Sequence, residues 1–218
     1  GEQVALKVMS GNLADDEAFR KRFDREYETL CALRHPNIAR VVGRGTEVSR
    51  AWLALEFIRG PTLHEVLQKD GAIHEAMTLA LIIRVAHGLM HAHQQAGLIH
   101  RDIKPANLVL MDNGLLTKHG DELPEDAIKI IDFGLAKSVT EVDHSLTMTG
   151  TVMGSPYYLS PEQIRSDKDL DQRTDIYALG ATMYHMLTGS TPYQGEAAAV
   201  IMNAHLTAPV PDPSERVP

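Results

Sequence analysis

The stretch His100-Arg101-Asp102-Ile103-Lys104-Pro105-Ala106-Asn107 constrains this chain more than any other. It sets an acid, a cation and an amide on one short loop, and an apolar run at residues 108–111 follows at once. A second short apolar run, 128–131, ends in Asp132-Phe133-Gly134, thirty positions past Asp102. Both runs read as short strands, and the polar residues between them, 112–126, read as a solvated loop insertion.

The rest of the chain supplies a scaffold for those two loops. Residues 4–9 form an apolar run broken by Lys7, the pattern of a buried strand. Phe19, Phe23, Tyr27, Leu30 and Leu33 recur at helical spacing, which predicts an amphipathic helix over 15–34. His35-Pro36-Asn37 ends it, because the residue before proline is pushed out of the helical region. Strands are expected at 38–42 and 51–58, with a lobe boundary at Arg59-Gly60-Pro61. Leu79, Ile82, Ile83, Ala86 and Met90 mark a helix over 74–95. Ile176, Leu179, Met183, Tyr184 and Leu187 mark a buried one over 174–188. A further helix at 196–206 and an extended proline-rich tail at 208–218 complete the reading. With 218 residues the chain makes one large domain or two small lobes. Its net charge of −8 argues against a nucleic-acid or anionic-membrane surface as the main partner. Cys31 is the only cysteine; it reads as a buried structural thiol in a reducing cytoplasm. No run of about 20 apolar residues occurs, so nothing within the chain is expected to span a membrane.

Two carboxylates, a lysine and an asparagine are the groups needed to deprotonate a hydroxyl, screen a moving phosphoryl group and hold Mg²⁺. In this order and spacing the His100–Asn107 and Asp132–Gly134 motifs resemble the eukaryotic-like (Hanks-type) serine/threonine protein kinase catalytic domain, in its bacterial form. The resemblance implies an α+β, bilobal fold. A small β-rich N-lobe with helix C would occupy residues 1–58 and a mainly helical C-lobe residues 59–218. The family's first two strands and glycine-rich loop, and its last helices, have no counterpart here, so the chain is expected to be a partial kinase domain.

The resemblance also assigns roles. Asp102 would accept or orient the substrate hydroxyl proton, and Lys104 would neutralise the γ-phosphate, as in serine/threonine-specific members. Asn107 and Asp132 would supply hard oxygens to Mg²⁺. Ser155 would bridge Asp102 and Lys104. Lys7, in Val-Ala-Leu-Lys, would contact the α- and β-phosphates of ATP. A lysine in a buried strand needs a partner; Glu26 on the next helix is favoured, with Asp24 and Glu28 as rivals. Leu53-Ala54-Leu55-Glu56-Phe57-Ile58 resembles the strand and hinge that hold adenine. Leu55 would be the gatekeeper, the Glu56 carbonyl and Ile58 amide would bond the purine edge, and Ala5 and Val109 would sandwich the ring. Asp175 matches the aspartate that braces the catalytic loop. Thr147 and Thr149, in the segment ending Ser160-Pro161-Glu162, match paired phosphothreonines, with Thr151 a weaker candidate. A phosphate there would be clamped by Arg101.

Protein substrates carrying Ser or Thr are the expected partners, with autophosphorylation at Thr147 and Thr149. The location is cytoplasmic, with room for a membrane anchor outside the chain. An inactive kinase-like scaffold and a small-molecule phosphotransferase of related fold are the alternatives. Intact Lys7, Asp102, Asn107 and Asp132 weigh against the first and the Ser-Pro-Glu segment against the second. Gly43-Arg44-Gly45 reads as a turn, and His87/His91 on the 74–95 helix lack a third metal ligand.

Overall fold

The computed structural model describes residues 3–8, 17–47, 50–111, 123–133 and 155–217. The N-terminal part begins with β1 (Val4–Val8), which pairs antiparallel with β3 (Arg50–Glu56); β3 also pairs with β2 (Val41–Glu47), giving the order β1-β3-β2. α1 (Glu17–Ala32) lies between β1 and β2 in sequence and buries Phe23 and Leu30, with Leu33 just beyond its end. The half-buried Cys31 packs against the same core.

Expectation and structure part at several points. The strand expected at 38–42 begins at Val41 and runs on through Gly43-Arg44-Gly45, with a bulge between Val41 and Gly43. Those glycines are therefore strand residues. Trp52 of β3 lies against Gly45 so closely that a Cβ there would fall 2.2 Å from the indole. Residues 38–39 instead bridge to the later hairpin. Patterning alone also missed α2 (Leu63–Asp70), which a capping box starts. Thr62 Oγ1 accepts the Glu65 amide, and the Glu65 carboxylate accepts the Thr62 amide at 2.7 Å.

After β3 the chain crosses into the helical part through Arg59-Gly60-Pro61. Gly60 is required there, since a Cβ would sit 1.7 Å from the Leu110 carbonyl oxygen. The main helices are α3 (Glu75–Ala96) and α5 (Arg173–Thr188), packed on each other. The stripes read from sequence are only partly on the buried side: Ile82 and Ala86 of α3 pack against the core, and Leu179 and Tyr184 of α5 are buried. Leu79, Ile83, Met90 and Ile176 are exposed. The buried faces are Met77, Thr78, Leu81, Val85, Gly88 and Ala92 in α3, and Thr174, Ala178, Leu179, Ala181, Thr182, Tyr184 and Met186 in α5. Small residues share those faces; at Gly88 a Cβ would stand 3.0 Å from the Ile130 side chain and 3.4 Å from the Asn37 carbonyl.

β4 (Leu108–Leu110) and β5 (Ile128–Ile130) form an antiparallel hairpin under the sheet, with Val109 opposite Lys129. α4 (Pro161–Ile164) and α6 (Ala198–Thr207) flank α5, and the expected extended tail folds into a short 3₁₀ turn at Pro213–Glu215, where Asp212 caps the Ser214 amide.

Candidate active site

The loop bearing Asp102 is shaped by groups beneath it. His100 is fully buried. Its Nδ1 accepts the Asp102 amide at 3.2 Å, so the proton resides on Nε2, which lies 2.9 Å from the Ile131 carbonyl. Burial holds this imidazole below its ordinary pKa and hence neutral. Its ring meets Phe133 edge-on at 4.8 Å. Asp175, in the first turn of α5, accepts the His100 and Arg101 amides, one on each carboxylate oxygen, both at 2.8 Å. Burial pushes the Asp175 carboxyl above the usual carboxylate range, and the two amides oppose that rise. Arg101 has φ of 64°, a strained region for a side chain. The Asp175 clamp and the Gln163 Nε2 bond to the Arg101 carbonyl, 2.8 Å, hold it there.

On this base the chemistry-bearing side chains converge. Asp102 Oδ2 receives Lys104 Nζ at 2.8 Å and Asn107 Nδ2 at 3.1 Å. Asn107 Nδ2 also donates to the Asp102 carbonyl at 2.7 Å, leaving its Oδ1 as an acceptor pointing the other way. The Ile131 amide donates to the Asn107 carbonyl at 3.0 Å, so this loop and the one bearing Asp132 share a hydrogen bond. Asp132, at φ of 61°, pairs with Lys7 Nζ at 2.9 Å. Lys7 thus reaches down from β1 to the second loop. The side chain of Glu26, its expected partner, lies outside the described residues, as do Gly134, Thr147, Thr149 and Thr151.

The expected purine-holding residues line the junction of the two parts. Ala5 pairs opposite Leu55, and Lys7 opposite Leu53, so these four side chains share one face of the sheet. The Glu56 amide donates to the Arg40 carbonyl at 2.8 Å. Ile58 is half-buried in the crossing segment, and Val109 is buried in β4. Ser155 is half-buried and opens the turn Pro156–Tyr158, where the Tyr158 hydroxyl meets His185 Nδ1 at 2.7 Å. Behind it, Ser160 and Gln163 form a capping box and Thr174 Oγ1 donates to Glu162 at 2.8 Å. Burial pulls the Glu162 pKa up, but hydrogen bonds from its own amide, Thr174 and Ser160 outweigh it and hold the group below its ordinary value.

Sequence reasoning missed Lys129. Its ammonium lies 2.6 Å from Glu56 Oε1, off the hydrogen-bonding direction, and joins the hairpin to the end of β3. The signal was present: a lone lysine in Ile-Lys-Ile-Ile raises the same need for a partner as Lys7. His100 and Gln163 were likewise unread as anchors. Among the described residues, no three His, Cys, Asp or Glu side chains are placed to hold a metal ion, and no helix is long and apolar enough to cross a membrane.

The model of the protein kinase domain matches residues 1–213. The chain belongs to the protein kinase domain family. Among its relatives, a probable serine/threonine-protein kinase of Corynebacterium efficiens is 34% identical over all of this chain and 31% of its own length. Serine/threonine-protein kinase PknL of Mycobacterium tuberculosis is 38% identical over 95% of this chain and 48% of its own length. The chain therefore spans about a third to a half of the curated relatives it matches. Among solved structures, Rad53 1-466 in complex with AMP-PNP superposes with a TM-score of 0.69 at 26% identity, covering 93% of this chain and 46% of that one. A point mutant of the PknI kinase domain of Mycobacterium tuberculosis gives 0.64 at 29% identity, covering 98% and 70%. The α+β architecture with its small antiparallel sheet is thus that of a protein kinase.

Proposed function

We propose that this chain is the catalytic part of an ATP-dependent protein serine/threonine kinase, transferring the γ-phosphate to Ser or Thr hydroxyls of proteins. The observation that carries the reading is the pairing of Asp102 with Lys104 and Asn107 on one loop, hydrogen-bonded to the loop where Asp132 meets Lys7. Asp102 accepts the proton of the attacking hydroxyl as its oxygen bonds the γ-phosphorus and the bond to ADP breaks. Lys104 sits beside that carboxylate and meets the charge of the transferring group, and Ser155 is given the role of bridging the two. Lys7 holds the α- and β-phosphates, and Glu26 supports it from α1. Leu55, the Glu56 carbonyl, the Ile58 amide, Ala5 and Val109 form the purine slot.

The donor set fits a hard divalent cation: Asn107 Oδ1 and the Asp132 carboxylate would hold Mg²⁺, which when bound neutralises phosphate charge. Two such oxygens beside a lysine are the usual complement where phosphate oxygens complete the coordination. Regulation by autophosphorylation at Thr147 and Thr149, a reducing cytoplasmic setting and the absence of a nucleic-acid partner belong to the same reading. Its supports are the chain's similarity to serine/threonine kinases, the single Cys31 and the charge of −8.

The test is transfer of radiolabelled γ-phosphate to a protein acceptor, with nucleotide binding measured alongside. Asp102→Asn is expected to remove transfer while largely sparing nucleotide binding, and loss of both together would contradict the role given to Asp102. Lys7→Met is expected to lower turnover through misaligned phosphates. Unchanged turnover would remove Lys7 from the site.

A further inference from the structure

The chain brings a third histidine to the pair on α3. His35, at the exit of α1, stacks its ring 5.0 Å from that of His91 at a 37° tilt. His87 lies one turn before His91 on the same helix. The loop carrying His35 is the strap between the small sheet and the hairpin. The Asn37 amide donates to His35 Nδ1 at 3.2 Å. Asn37 Nδ2 donates to the Glu125 and Ile128 carbonyls at 2.7 and 2.9 Å. The Ile130 amide donates to the Asn37 carbonyl at 2.8 Å, and the Ala39 amide to the Ile130 carbonyl at 2.9 Å. Two residues beyond Ile130 stands Asp132.

We propose that His35, with His87 and His91, is a proton-operated latch: neutral, it fastens the loop after α1 to β5; protonated, it lets that loop go. The bond from the Asn37 amide needs a lone pair on His35 Nδ1. A second proton on the ring replaces that lone pair with a donor, so two N–H groups face each other and the turn opens. The new cation also stands against two further imidazoles. The charged and titratable groups facing His35 are His91 and His87 from α3 and Glu125 from the segment before β5, whose carboxylate alone favours the cation. Arg84, also on α3, is committed to the Ala80, Leu123 and Pro124 carbonyls and closes the same seam. Burial first, then His91 and His87, hold the His35 pKa below its ordinary value, against the opposing pull of Glu125. The latch is therefore complete above about pH 6.5, where the ring is neutral folded or unfolded, and weakens as pH falls below that toward the depressed value.

The functional consequence rests on the kinase reading: loosening the strap loosens β5 and the Asp132–Lys7 pair, so nucleotide affinity falls in acid. The test is amide hydrogen exchange at Asn37 and Ile130 from pH 5 to 8, corrected for intrinsic rates, with ATP affinity measured in parallel. His35→Asn keeps an oxygen that accepts the same amide but does not titrate. Protection in the unaltered chain is expected to fall about tenfold for each unit by which the ring is depressed, and His35→Asn is expected to abolish that fall. His91→Gln, which removes a repelling neighbour, moves the fall and the ring's own NMR titration to higher pH. An undiminished acid fall in His35→Asn overturns the latch. Should that variant not fold, an unmoved His35 titration in His91→Gln overturns it instead. The expected exchange profile in a chain that binds no ATP at any pH supports the latch and refutes the kinase reading.

Discussion

Replacing Asp175 tests whether the shape of the Asp102 loop is imposed from below. Both of its carboxylate oxygens are committed, at 2.8 Å each, to the buried His100 amide and the part-buried Arg101 amide. Asp175→Ala orphans both, at roughly 1–3 kcal/mol apiece. Relief of burying a carboxyl whose pKa is already raised returns part of this, so a net loss of about 3 kcal/mol is expected. Asp175→Asn keeps one acceptor and turns an NH₂ toward the other amide, for a loss of about 2 kcal/mol. Against a typical domain stability of about 5–15 kcal/mol both variants remain folded. Denaturant unfolding followed by Trp52, the only tryptophan, reads the loss directly.

The loop effect separates from the stability effect in the kinetics. Without its clamp Arg101 is free to leave φ of 64°, and Asp102, the next residue, moves with it. A displacement of about 1 Å at a reacting group costs on the order of 10²-fold in rate. For Asp175→Asn, kcat should therefore fall by about that factor, at a temperature where the variant is fully folded, while the KM for ATP changes little. A variant that loses about 2 kcal/mol but keeps kcat would show that the clamp stabilises the fold without positioning Asp102. A variant that loses less than about 0.5 kcal/mol would refute the assignment of these hydrogen bonds as buried and charge-assisted.

The Glu56–Lys129 pair, with 21% and 13% of the two side chains exposed, should show a coupling energy of about 1–2 kcal/mol in a Glu56→Gln/Lys129→Met double-mutant cycle. Additive losses in denaturant unfolding would mean that the charges do not sense each other. Burial keeps His100, His185 and His205 below their ordinary pKa, so all three are neutral in the fold. Thermal stability should be flat just above about pH 6.5 and fall as acid lets the unfolded chain take up protons the folded chain refuses. A thermal midpoint that rises on acidification through this range would reverse the sign of the argument.

Much of the site was legible because loops that do chemistry must keep their polar residues in fixed order. Asp102, Lys104 and Asn107 meet on one loop. β1, expected to be a buried strand, is instead exposed at Val4, Leu6 and Val8, and Lys7 has Asp132 as its ion-pair partner. Helix facing was read only in part. Leu79, Ile83, Met90 and Ile176 stood out as large apolar residues yet are exposed, while smaller residues share the buried faces: Gly88, against Ile130 and Asn37, and Ala92 in α3, and Ala178, Ala181 and Thr182 in α5. Apolar periodicity picks the buried face poorly when small residues and threonines make up part of it and large apolar residues stand outside it. α2 went unread because its eight residues are too short for a periodic signal, although Thr62 and Glu65 spelled its start. The extent of β2 was misjudged because glycine is a turn residue by propensity, and only the Trp52 ring explains why Gly45 must be one in a strand.

The three residues of β5 carry more connections than their length suggests, and this bears on how the two parts act together. Ile128 and Ile130 hold the hairpin and, through Asn37, the loop leaving α1. Lys129 reaches Glu56 at the end of β3. The next residue, Ile131, gives its carbonyl to His100 and its amide to Asn107, and Asp132 then meets Lys7 on β1. These ties between the sheet and the Asp102 loop all pass through residues 128–132. A strand this short has little hydrogen bonding of its own to spare, so its position is set by its neighbours on both sides. Breaking any one tie, at Asn37, Lys129 or His100, should therefore disturb the same pair of carboxylates, Asp102 and Asp132, from three different directions. The three effects on kcat should then be less than additive, because each removes the same placement. Strict additivity in pairwise combinations of Asn37→Ala, Lys129→Met and His100→Ala would show that the ties act on separate parts of the site.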